Sequence, residues 1–161
     1  MKLGSKDFSW YWKIIKIPVL LLVLWSVLAI IIAKISIYWF NSIFSTWSGL
    51  FVQVVIFSLI GIFVIKDHKG SLGNAAWAGA SAGVIAGFLG GILGIIMMFV
   101  VPEIFESAIQ QAIAQGMSED VMRQGVTIWT YAGVITGPIV TGIFGTIIST
   151  LAGLITKKTV K

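Results

Sequence analysis

The residues able to do chemistry are few, and each stands alone. His68, the only histidine, lies between Asp67 and Lys69 in KDHKG. A general base needs a positioned nucleophile and an orienting partner, and no such pattern surrounds it, so it reads as a solvated turn residue. Glu103 and Glu106 are three apart on one helical face and could hold a hard cation. Such an ion wants about six to eight oxygen ligands, so the pair reads as a solvated face. The stretch KDHKGSLGN places glycines ahead of a helix but lacks the G-x-x-x-x-G-K-[ST] pattern of a phosphate loop. There is no cysteine, which removes thiol nucleophiles and disulfides and starves zinc and iron–sulfur sites of ligands. Lys34 lies near the end of an apolar run and reads as a side chain snorkelling to lipid headgroups. The expectation is no catalytic residue, no cofactor and no metal.

Spacing is informative elsewhere, in small residues. Counting by four from Ala75 gives Gly79, Gly83, Gly87 and Gly91; counting by four from Gly133 gives Gly137, Thr141, Gly145, Ser149 and Gly153. A four-residue step returns to the same side of a helix, so each series is a smooth stripe, the small-xxx-small pattern of a glycine zipper. In water so much glycine would make a poor helix, since each costs roughly 1 kcal/mol relative to alanine. In lipid apolar burial no longer drives helices together, and small residues let backbones approach. These ten positions are the expected helix-packing residues. Pro138, directly after Gly137, removes a backbone hydrogen bond and is a candidate hinge.

The elements that must carry these stripes follow from composition. The 161 residues are 58% hydrophobic and 11% charged, more apolar surface than one soluble domain can hide, since about a quarter of an ordinary soluble domain is charged. Four apolar runs, at about 17–40, 47–65, 74–101 and 126–155, each suffice to cross a membrane. A cleaved leader is the alternative for the first, because Lys2, Lys6, Lys13 and Lys16 precede it. Its apolar core exceeds the usual length of about 7 to 15 residues and no A-x-A site follows, which favours a retained anchor.

Charge orients the spans. Nine of the eleven basic residues (Lys2, Lys6, Lys13, Lys16, Lys66, Lys69, Lys157, Lys158 and Lys161) fall on one side of a four-span arrangement. The connection 102–125 instead carries Glu103, Glu106, Glu119 and Asp120 against Arg123. The positive-inside bias then places both termini in the cytoplasm of a multi-pass cell-membrane protein. Trp10, Tyr11, Trp12 and Trp77 fall near the inner face, and Tyr38, Trp39, Trp47, Trp129 and Tyr131 near the outer one, where amphipathic rings prefer to sit. Basic residues scattered beside apolar runs fit headgroups rather than nucleic acid.

In PEIFESAIQQAIAQ the apolar residues Ile104, Phe105, Ala108, Ile109, Ala112 and Ile113 recur at helical spacing, with Glu103, Glu106, Gln110 and Gln111 opposite. This predicts an amphipathic helix opened by Pro102 and ended by Gly116. Ser118 before Glu119 and Asp120 predicts a second short helix feeding the last span.

From KDHKG onward the chain resembles a family of small bacterial four-span membrane proteins without an assigned activity. The basic turn, the glycine-rich third span, the step at Pro102 and Glu103, the GMSED stretch at 116–120 and the closing pair Lys157 and Lys158 carry the resemblance. It implies topology and adds no catalytic residue.

The resulting expectation is one all-α membrane domain over 1–161: a bundle of four transmembrane helices with an amphipathic helix between spans three and four. Its partners would be the bilayer and either further copies of itself or another membrane protein. Its role would be structural, accessory or in assembly. The alternative is an oligomeric channel built on the glycine faces; an enzyme is a third and more distant reading.

Overall fold

The computed structural model describes residues 2–3, 6–44 and 46–159; Lys161 lies outside them. Among the described residues a two-rung antiparallel pair, β1 (Lys2–Leu3) and β2 (Lys6–Asp7), precedes six helices: α1 (Phe8–Ile35), α2 (Ile37–Ile43), α3 (Thr46–Lys66), α4 (Leu72–Val100), α5 (Pro102–Ala114) and α6 (Glu119–Thr159). The fold is otherwise all-α, and α1, α3, α4 and α6 are each long and apolar enough to cross a membrane.

Two boundaries differ from the expectation. The first apolar run does not continue as one helix to residue 40: Ser36 is extended (φ −161°, ψ 116°) and its hydroxyl accepts from the Trp39 amide to open α2. A serine that can cap a new helix outcompetes continuation of the old one, although its neighbours stay apolar. At the other boundary no separate short helix precedes the last span. Between Asp120 and Pro138 no residue is a strong breaker, so α6 begins at Glu119 and runs 41 residues, through Pro138.

Gly116 ends α5 with φ 89°; its amide and that of Met117 reach back to Ile113 and Ala112, a left-handed terminus that glycine adopts without strain. Ile109 and Ala112 of α5 are buried, while Glu103, Gln110 and Gln111 are exposed. Ala108, expected on the apolar side, is exposed. Glu106, expected on the open side, instead turns toward α6. Arg123 donates to both its carboxylate oxygens, at 2.6 and 3.0 Å, and its Nε donates to Glu119 at 2.9 Å.

The core lies toward one end of the bundle. Tyr11, Ile15 and Val19 of α1 meet Phe57, Ile60 and Val64 of α3 and Ala75, Ala78 and Ala82 of α4. That end also holds the α3–α4 turn, where Trp10 packs edge-on to His68 and would meet any side chain at Gly70. Ser71 and Asn74 form a reciprocal cap on α4, and the Asn74 amide donates to the Tyr11 hydroxyl at 2.9 Å, fastening α1 to α4. At the opposite end Lys34 donates to the Val100 carbonyl at 3.1 Å. Lys13 and Lys16 of α1, the turn and the end of α6 thus share one end, and Lys34 and the acidic connection occupy the other.

Candidate helix seam and cavity

Helices α4 and α6 run antiparallel with backbones in contact. A methyl group added at Gly79 would strike the Ser149 hydroxyl and the Gly145 carbonyl; at Gly83, the Thr141 carbonyl; at Gly87, the Thr141 hydroxyl and the Gly137 carbonyl. At Gly91 it would lie 2.6 Å from the Val134 Cα and 2.8 Å from the Gly133 carbonyl oxygen. Each step of four along α4 therefore meets a step of four back along α6, so the teeth stay in register from Gly79 to Gly91.

Two hydroxyls bond across the seam. Thr141 Oγ1 lies 2.6 Å from the Gly83 carbonyl oxygen, and the fully buried Ser149 Oγ lies 2.8 Å from that of Ala75. Each is also 2.6 Å from a carbonyl of its own helix, Gly137 and Gly145, so the single proton is shared between two acceptors. Small residues bring the backbones close, and the hydroxyls use that closeness.

Two members of the stripes sit differently. Gly153 touches both α3 and α4: a methyl added there would lie 3.2 Å from Ile65 Cγ1 and 3.3 Å from Ala75 Cβ. Gly133 has nothing within 4 Å on its open side and faces a cavity. Pro138 follows the contact between Gly137 and Gly87, where an added methyl would lie 2.9 Å from the Gly87 carbonyl oxygen.

Spacing gave no sign of Gly61. The residues four away from it in α3 are the large Phe57 and Ile65, yet a side chain at Gly61 would strike the Ser149 carbonyl and lie 3.0 Å from the Gly153 amide nitrogen. Ser149 is therefore enclosed by α3 as well as α4. The joint between Asn74 and Tyr11 was also missed; the S-x-x-N spacing of Ser71 and Asn74 was its available signal.

At the acidic end the bundle loosens into a cavity of about 430 Å³. Trp25, Phe40, Phe44 and Phe57 form its aromatic side; Gly87, Gly90, Gly91 and Gly94 form a bare backbone wall in α4. The Trp25 and Phe44 rings are 4.7 Å apart between centroids. Ser26, Gln53 and Thr141 are the polar side chains at its surface; Ser26 bonds back to the Leu22 carbonyl at 3.1 Å. The size suits a small apolar ligand or a hydrocarbon chain. Among the described residues no group of three or more His, Asp or Glu side chains is placed to hold a metal ion. No family model, curated protein or solved structure matches the chain.

Proposed function

We propose that the chain is a polytopic integral membrane protein of four spans with a structural, accessory or assembly role and no catalysis of its own. In this reading the lysine-bearing end faces the cytoplasm, the cavity lies in the outer half, and α5 is an amphipathic helix along the outer interface. The observation that carries the proposal is the seam. The two stripes meet each other within one chain along most of their length, with Gly133 left open to the cavity, and α6 turns large apolar side chains outward, including Ile135, Val140 and Ile143. Such a surface is at home in hydrocarbon, where exposed apolar groups cost nothing.

Proteoliposomes holding the purified chain test it. They should show no ion flux above that of empty vesicles, and in cells a cysteine at Gln111, but not one at Lys158, should react with an impermeant thiol reagent from outside. Flux that rises with protein density would favour the oligomeric channel, and reversed labelling would invert the topology.

A further inference from the structure

A second recess, of about 300 Å³, runs between α1 and α3 at the basic end. Its walls are two helical stripes with matched chemistry. On α1, Lys13 is followed at steps of four by Ile17 and Leu21; on the other wall, Asp67, just past the end of α3 with its amide bonded to the Phe63 carbonyl, is followed at the same step back along α3 by Phe63 and Leu59. A step of four keeps one face, so both walls change from apolar to charged at the same level. The ammonium of Lys13 and the carboxylate of Asp67 are exposed at the mouth, and neither forms an ion pair with another described residue. His68, held edge-on by Trp10, stands beside them as a further polar neighbour. From Lys13 to Leu21 the walls extend roughly 12 Å.

We propose that this groove binds a phospholipid bearing a primary amine, of the phosphoethanolamine class. The phosphate sits on Lys13, the lipid ammonium donates to Asp67, and one acyl chain lies against Ile17, Leu21 and Leu59. Charge complementarity selects this occupant. A cation on one wall and a carboxylate on the other match a zwitterion. A quaternary ammonium has no N–H to donate to Asp67, and an anionic headgroup brings no cation to it. The inference rests on the membrane reading above.

Native mass spectrometry of the full chain released from detergent, with phosphatidylethanolamine, phosphatidylcholine and phosphatidylglycerol of identical acyl chains, tests it. The ethanolamine lipid should be retained about tenfold more than either of the others, the value of one charge-assisted hydrogen bond. Asp67→Asn should abolish that preference, Lys13→Gln should weaken retention of all three lipids, and Ile17→Trp should displace the adduct by filling the groove. Equal retention by the natural chain, or a preference that survives Asp67→Asn or Ile17→Trp, overturns the assignment. Flotation with vesicles of phosphatidylethanolamine and phosphatidylcholine separates the two ideas. A chain that does not float refutes the membrane reading, whereas one that floats without headgroup preference refutes the groove alone.

Discussion

Replacing Gly83 by alanine adds one methyl group at a close backbone approach within the seam. That methyl would fall 2.6 Å from the Thr141 carbonyl carbon and 2.8 Å from the Gly142 Cα, where ordinary contact begins at 3.4 Å. The obstruction is backbone on both sides, so no rotamer relieves it and the helices must part by roughly 1 Å, which forfeits a quarter to a half of each dispersion contact along the seam. The bond from Thr141 Oγ1 to the Gly83 carbonyl, 2.6 Å long, would stretch out of range; such bonds contribute about 0.6 kcal/mol in membranes. Overpacking adds roughly 1 to 3 kcal/mol, and alanine returns up to about 1 kcal/mol through helix propensity. The net expectation is a loss of about 1 to 2.5 kcal/mol. Gly90 and Gly94 lie on the same helix with nothing within 4 Å of an added methyl, so Gly90→Ala and Gly94→Ala should be neutral or up to about 1 kcal/mol more stable. Titrating mixed micelles with a denaturing detergent and following helicity by circular dichroism measures all three. A Gly83→Ala variant as stable as Gly90→Ala would refute the contact.

Two further perturbations probe the ends of the bundle. Asn74→Ala removes the side-chain half of the α4 capping box and the bond to Tyr11, for about 2 kcal/mol together, while Tyr11→Phe leaves the box intact and should cost about half as much; equal losses in the same titration would contradict this division. At the other end, the hydrogen bonds from Arg123 hold the Glu106 carboxyl below the usual carboxylate range; burial opposes them, and the charge of Arg123 adds a smaller lowering effect. The unfolded carboxyl takes up its proton first, so the contribution is complete above about pH 4.3 and fades as pH falls through the lower folded value. Spin labels at Ser107 and Gln124 should therefore separate in acid, and Glu106→Gln should show the separated distance already at neutral pH.

The four long helices were legible because each is a long apolar run, and at that scale composition overrides local detail. The ends were less legible. Ser36 interrupts a run whose hydropathy barely changes, so only the competition between capping and continuation reveals the break. Spacing alone identified the stripes on α4 and α6, since a four-residue step is a property of one helix. Which surface each stripe meets depends on the antiparallel register of two helices, and no single segment encodes that. Gly61 illustrates the limit. With Phe57 and Ile65 four residues away on either side it has no small-residue period, and its importance comes from Ser149 and Gly153 lying across from it. The cavity was illegible for the same reason, because aromatic side chains from α1, α2 and α3 converge on the glycine wall only after folding.

Helix α6 has 41 residues and is therefore roughly 60 Å long, whereas its seam from Gly133 to Ser149 rises only about 24 Å. A hydrocarbon layer is about 30 Å thick. In the proposed orientation the closely packed stretch matches the oily slab with about half a turn to spare at each end, and the rest of the helix stands in the headgroup layers or beyond. Trp129 and Tyr131 then fall at the outer boundary, with Lys157 and Lys158 past the inner one. A bilayer thinner by up to about 6 Å would expose those half-turns without reaching the seam. A thicker one would be met at those same turns, by reduced tilt or local thinning of the lipid. The helix pair thus tolerates membranes of different thickness, because its overhangs absorb the mismatch while its contacts stay unchanged.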